Sequence, residues 1–318
     1  MYINTVTCIC QQLKFHDFRL NPIHIYDSTF LRKLAIYAIV TVINVDATEN
    51  LVLDRREDFM DVVIKHYSGY DEDARLLSRH GQVEFLTTMR YIQRYLQPGM
   101  SVLEIGAGTG RYSQTIADMG FKVDAVELSP KNIEVFKSKL KPSQDINISQ
   151  GNALDLNMYR DNTFDIVLLL GPLYHLYTDT DKRKSLSEAL RVAKPGGIVF
   201  AAYIVSDACF LEDFQRDVSA IKGHVDRGDI DISTFALSKP LNIFELVRKE
   251  DIERIMSVFE VERLHYIAVD MISRLLRNEL AAMDDEAFAL YLNYHYAVCE
   301  RPDMVGITTH SLDVFRKS

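Results

Sequence analysis

A short glycine string, Gly106-Ala107-Gly108-Thr109-Gly110, joins an apolar run to an amphipathic one, and this junction narrows the folds open to the chain. Ser101 to Ile105 reads as a strand, and Arg111 to Gly120 as a helix that stops on a glycine. At such a turn the free backbone N–H groups and the helix dipole together form a seat for a polar ligand. Glycine lets the turn be tight and lets the ligand approach the backbone.

The same beat continues on both sides. Gln82 to Leu96 carries the stripe Phe85, Met89, Ile92 and Leu96, and Pro98-Gly99 ends that helix. Lys122 to Glu127 is a second strand, followed by Ser129-Pro130 as an N-cap and first helical residue. Ile133, Phe136 and Leu140 are the stripe of the helix that follows. Ile146 to Ser149 is a short strand. Phe164 to Leu170 holds the unbroken apolar run of a strand covered on both faces. A helix from near Asp179, with Leu186, Leu190 and Ala193 inward, leads through the turn Lys194-Pro195-Gly196-Gly197 to a strand at Ile198 to Val205. Strands alternating with helices predict an α/β chain with a doubly wound, mostly parallel sheet.

After Ser206 the beat loosens. Residues 207–247 are mostly helical in pattern and are expected to form a cap insertion. Ile252, Ile255, Met256 and Phe259 resume a core helix, and Val261 to Val269 reads as a strand. Residues 271–300 look like a second helical insertion, and Ser311 to Lys317 like a last strand. The expected domain is thus 60–318, with its core at 81–205 and 248–318. Residues 1–59 lack this regularity and read as an N-terminal extension. Met60 is an alternative start, since Arg56-Glu57-Asp58 can be encoded by a purine run resembling a ribosome-binding site.

Charge and cysteine usage exclude some partners. The formal net charge is −9, without the basic footprint a polyanion requires, so nucleic acid is not expected. Cys8, Cys10, Cys209 and Cys299 form no CxxC pair, so no metal site is expected. The apolar stretch Leu34 to Val45 is far shorter than the ~20 residues of a spanning helix. A cytoplasmic protein with no membrane anchor is the expectation.

A dinucleotide loop requires Gly or Ala at its sixth position, and here that position is Arg111. Glu127, 21 residues after Gly106, ends the second strand, where a carboxylate can accept from both hydroxyls of a ribose. These features indicate a nucleoside cofactor. Taken with the strings VLEIGAGTGRYS, VDAVELSP, GNALDL, FDIVLLLGPLYHL and RVAKPGGIVFAAY, the chain resembles class I S-adenosylmethionine-dependent methyltransferases of the bacterial small-molecule type.

The resemblance covers residues 101–205 most closely and implies a seven-stranded Rossmann-like methyltransferase fold with S-adenosyl-L-methionine as cofactor. By that likeness Glu104, Gly106, Ala107, Gly108 and Gly110 would hold the methionine part. Glu127 would bind the ribose and Leu128 would pack on the adenine. Asn152, where the family more often has Asp, and Ala153 would meet the adenine edge. The Leu170 carbonyl and Gly171 would lie near the cofactor amino group. Tyr70, within a segment that also holds Tyr67, Arg75 and Arg79, would close over the cofactor; an ordinary amphipathic helix is the other reading. Tyr174 and His175 are the candidates for catalysis, Tyr174 lining the methyl pocket and His175 acting as a base or serving only structure. His265, His295 and His310 are scattered without ligand spacing. The acceptor is expected to be a small molecule. An NAD(P)-dependent oxidoreductase and a non-catalytic S-adenosylmethionine-binding protein are the competing readings, disfavoured by Arg111 and by the intact loop respectively.

Overall fold

The computed structural model describes residues 61–67, 72–237, 240–241 and 243–318, and Asp61–Ser318 forms one unit by itself. Met60 as a start and the extension 1–59 lie outside the described residues, as does Tyr70. A helical segment, residues 61–67, precedes α1 (Glu72–Leu77) and α2 (Arg79–Tyr95). Then follow β1 (Ser101–Ile105), α3 (Arg111–Asp118), β2 (Lys122–Glu127), α4 (Pro130–Ser138), β3 (Ile146–Gln150) and β4 (Phe164–Leu169). A 3₁₀ turn at Pro172–His175 leads to α5 (Asp179–Val192) and the long β5 (Ala193–Val205).

The main sheet runs in the order β3-β2-β1-β4-β5-β10-β9, where β9 is Val261–Ala268 and β10 is His310–Lys317. Strands β1 to β5 pair in parallel, and β10 runs antiparallel to both β5 and β9. The chain leaves β1 outward through β2 and β3, then returns to the other side of β1 as β4. Strand order therefore reverses between β1 and β4, and their carboxyl ends flank the crevice where ligands of such sheets bind.

Alternation along the strands makes two cores. Val102, Ile166, Leu168, Phe200 and Ala202 face one side, packed by Phe85, Met89 and Ile92 of α2 and by Ile116 of α3. Leu103, Ile105, Val167, Leu169, Val199 and Tyr203 face the other, packed by Leu186, Ala189 and Val192 of α5. The unbroken apolar run in β4 is thus explained by cover on both faces. Helix starts follow their caps: Ser78 Oγ accepts from the Gly81 N–H, Thr178 Oγ1 from Asp181, and Ser129 from Asn132.

The structure departs from the sequence pattern in two places. The turn expected at Lys194-Pro195-Gly196-Gly197 lies inside β5, as an irregularity in its pairing with β4 between Phe164 and Ile166. The helical pattern over 207–247 yields α6 (Ser206–Arg216) and α7 (Ala220–Asp226), a hairpin of β6 (Ile230–Asp231) with β7 (Ala236–Leu237), and β8 (Leu246–Val247). β8 adds to the main sheet beside β5, a pairing across forty residues that periodicity cannot report. Helix α8 (Lys249–Met256) precedes β9, and α9 (Arg277–Ala282), α10 (Asp285–Val298) and α11 (Pro302–Val305) lie between β9 and β10. Among the described residues no helix is long and apolar enough to cross a membrane.

The edge pair β9/β10 is clamped by charge. Asp313 is 0% exposed, and the Arg263 guanidinium meets both of its oxygens at 2.8 Å. Burial pushes the Asp313 carboxyl up, and Arg263 opposes that shift. Arg263→Ala leaves a dry carboxylate without its counter-ion, which costs about 3–5 kcal/mol. Chemical denaturation at pH 7 is expected to show that loss. At low pH, where Asp313 takes up a proton, the difference should shrink.

Candidate active site

The glycine loop leaves β1 with Gly106 and Ala107 both donating to the Val126 carbonyl, at 2.8 and 3.1 Å. This ties the loop to the end of β2. On its other side Gly106 lies against the post-β4 turn, where a Cβ would come within 2.7 Å of Pro172 Cδ. The loops after β1 and β4 are therefore in contact, as the strand reversal requires. Gly108 differs from its neighbours: its φ is +56°, and a Cβ there would meet nothing within 4 Å. It faces open space. Gly110, with φ of +83°, starts α3 and packs directly on the Phe136 ring.

Two carboxylates flank the loop. Glu104 is 2% exposed and accepts from Ser113 twice, from the backbone N–H at 3.0 Å and from the hydroxyl. Burial is the main reason its pKa is pushed up to about 8; the Glu127 charge adds to the rise, and the Ser113 hydrogen bonds oppose it. Glu127 is likewise buried. Its Oε2 accepts from the Gly108 N–H at 2.8 Å, and its Oε1 from the Ser129 N–H at 2.9 Å and Asn132 Nδ2 at 3.0 Å. Oε1 is filled by its two donors, while Oε2, with one, keeps a lone pair. Ser113 and Asn132, which hold these acids, carried no signal in the sequence, because a helix interior tolerates either residue without functional cause.

The remaining expected contacts fall around this centre. Leu128 is half-buried beside Glu127, and Ala153 is buried in the core next to Val126. Asn152 Oδ1 accepts from the Leu154 N–H at 3.0 Å, closing a turn below the end of β3. The Leu170 carbonyl accepts from the Tyr174 hydroxyl at 3.0 Å, and Gly171 sits between that hydroxyl and the Gly106 carbonyl. Arg111 lies over the Phe85 ring, 4.3 Å from its centroid, and its buried Nε has no hydrogen-bond partner among the described residues.

A general base at His175 does not match the structure. Its Nδ1 donates to the Ile243 carbonyl at 3.0 Å, which leaves Nε2 to accept from the Tyr67 hydroxyl at 2.9 Å. Both nitrogens are engaged, and burial drives the pKa down to about 4, helped by His66 and opposed by the Ile243 bond. The ring ties the helical segment 61–67 to the cap. Tyr174 spends its proton on the Leu170 carbonyl and edges the His175 ring at 4.9 Å, so it lines the crevice without acting on a proton. Arg75 and Arg79 are also committed elsewhere: Arg75 to Glu84 at 2.5 Å, and Arg79 to Asp285 at 2.5 Å.

Comparison with known proteins agrees with this geometry. Residues 103–201 match the family model of a methyltransferase domain. A demethylmenaquinone methyltransferase of Renibacterium salmoninarum is 38% identical over 105 residues, 33% of this chain and 41% of that protein. A ubiquinone biosynthesis O-methyltransferase of Methylocella silvestris is 32% identical over 134 residues, 40% of this chain and 48% of that protein. The chain thus spans less than half the length of these curated relatives. A chain from the complex of the Haloferax volcanii Trm112 methyltransferase activator with a methyltransferase superimposes with a TM-score of 0.52. That match covers 80% of this chain and 97% of the other at 14% identity, a likeness of fold alone.

Proposed function

We infer that this chain, whose residues 103–201 match a methyltransferase domain, is a class I methyltransferase that transfers a methyl group from S-adenosylmethionine to a small-molecule acceptor. The observation that carries the reading is the pairing of a buried carboxylate, Glu104, with a glycine, Gly108, that opens onto free space. An amino-acid ammonium group matches the first, and a bulky ligand lying against the backbone matches the second. The unpartnered Nε of Arg111 suits a ligand carboxylate at the same end, and the lone pair left on Glu127 Oε2 suits a ribose hydroxyl. The residues present therefore fit the cofactor.

When bound, S-adenosylmethionine supplies a methyl group on an already activated sulfonium. What the chain must add is alignment, since holding the reactants in line is worth about 7–11 kcal/mol in well-oriented systems. The Gly106–Pro172 contact and the hydrogen bonds on Glu127 lock the two loops of the crevice into one geometry before any ligand arrives. Tyr174 and His175 close the acceptor side and exclude water. The names of the two relatives support an acceptor of the quinone type, and the net charge of −9 supports a small molecule over a nucleic acid. Arg111 at the sixth loop position weighs against a nicotinamide dinucleotide.

S-adenosylhomocysteine is expected to raise the melting temperature. A ligand at a hundredfold over its Kd adds about 2.7 kcal/mol, or roughly 5–10 °C for a unit of this size. A scanning-fluorimetry titration that shows no shift with this nucleoside, yet a shift with NADH, would overturn the assignment.

A further inference from the structure

Strand β10 begins beside the end of β5, with His310 opposite Ile204. Because β10 runs against its neighbours, its first side chain arrives at the carboxyl edge of the parallel strands, where the glycine loop and the post-β4 turn lie. The His310 side chain is 10% exposed, and its Nδ1 lies 2.9 Å from Oδ2 of Asp270, just beyond the end of β9. Asp270 is itself held fast. It accepts from the Thr308 hydroxyl at 2.6 Å, the Thr309 N–H at 2.9 Å, the His310 N–H at 3.0 Å and the Thr309 hydroxyl.

A carboxylate only accepts, so the ring proton resides on Nδ1 and Nε2 presents a lone pair. Among the described residues no hydrogen bond occupies Nε2. Burial is the largest influence on Asp270 and pushes its pKa up. The hydrogen bond from His310, with the backbone and Thr308 donors, outweighs that and holds it well below the usual carboxylate range. Asp270 is therefore an anion, suited to stabilise an imidazolium. This is the base-and-orienter geometry of hydrolytic triads without their nucleophile.

The groups around the ring favour acid–base work over metal binding. Ligand atoms of Glu84, Asp270 and His310 lie within 4.8 Å of one another. Glu84, though, is bound by the Arg75 guanidinium at 2.5 and 3.2 Å, and Asp270 is filled by hydroxyl and amide donors. Arg274, held on Glu212 at 3.1 Å, acts on both Asp270 and Glu84, and His80, Tyr291, Cys209 and His295 are further titratable groups nearby. One ring contact places His310 beside the post-β4 turn: the Tyr174 ring lies 6.4 Å from it, edge-on.

We propose that His310 is the catalytic base that takes the proton of the methyl acceptor, with Asp270 as its positioning residue. The proposal rests on the methyltransferase reading above. The acceptor heteroatom forms its bond to the methyl carbon while its proton passes to His310 Nε2. The electron pair of the broken carbon–sulfur bond stays on sulfur, so the positive charge moves from sulfur to the imidazolium beside Asp270. Release of that proton to water restores the base.

The first test needs no acceptor. In ¹⁵N-histidine NMR spectra of the full chain, His310 should be the Nδ1–H tautomer, and its ring signals should shift when S-adenosylhomocysteine binds. An Nε2–H tautomer, or signals indifferent to bound nucleoside, would overturn the proposal. The second test follows methyl transfer from labelled S-adenosylmethionine to methylhydroquinone. His310→Ala and the bulkier His310→Gln should lower kcat about 10²–10⁴-fold, with calorimetric S-adenosylhomocysteine affinity unchanged and added imidazole restoring part of the turnover of His310→Ala. Asp270→Asn should lower kcat and alter the tautomer of His310. Turnover equal to wild type in both His310 variants would again overturn the dyad. Calorimetry showing no S-adenosylhomocysteine binding to the unaltered chain would instead overturn the methyltransferase reading, and this proposal with it.

Discussion

Gly108→Arg should abolish S-adenosylhomocysteine binding while the protein stays folded. The reason is specific to this glycine. A side chain at Gly108 meets no protein atom within 4 Å, so the substitution displaces nothing in the core. It incurs only the left-handed backbone penalty at φ of +56°, about 1–2 kcal/mol. What the arginine does fill is the space the nucleoside needs. Gly110→Ala provides the contrast, because its Cβ would run into the Phe136 ring. That variant should lose stability first, and binding only in consequence. Isothermal calorimetry beside thermal melts separates the two. Unchanged binding in Gly108→Arg would mean that the ligand lies elsewhere.

Glu104→Gln should cost most of the binding affinity and, in the ligand-free chain, raise alkaline stability. In the fold Glu104 keeps its proton up to about pH 8, against 4.5 for an ordinary glutamate. Between those values the folded state binds the extra proton, so stability falls as pH rises through the window and is fully present only below it. The loss by pH 9 is of order 5 kcal/mol, one pKa unit corresponding to about 1.4 kcal/mol. The neutral amide of Glu104→Gln carries no such charge, so the melting temperature of that variant should exceed that of the parent at pH 9 and converge with it near pH 5. A ligand ammonium reverses the preference, because it requires the anion. Binding at pH 7 should therefore expel close to one proton, and affinity should rise about tenfold per pH unit until it levels off above pH 8. Calorimetry in buffers of different ionisation enthalpy reads that proton directly. An affinity flat from pH 6 to 9 would remove Glu104 from the ligand contact.

Both predictions concern residues that could be singled out before any coordinates. Glu104, Gly108 and Glu127 sit in one stretch of strand, turn, helix and strand, and their spacing reflects geometry that is nearly local. The same holds for the two-sided burial of β4, visible as the apolar run Ile166 to Leu169. His175 was legible as a residue near the crevice but not in its role. Its neutrality comes from burial, and its ring is held by Tyr67, 108 residues earlier, and by the Ile243 carbonyl, 68 residues later. A motif contains neither partner.

The amino-acid string alone determined the proposed cofactor end of this protein: a parallel core, a glycine cradle and two acids at adjacent strand ends, because strand alternation, turn chemistry and helix caps act over a few residues. The tertiary structure alone decided the proposed acceptor end. Asp270 and His310 are 40 residues apart, with two helices of eight or fewer residues and α10 between them. They meet because β10 enters the sheet antiparallel between β5 and β9, an outcome of strand order and long-range packing that no local pattern encodes.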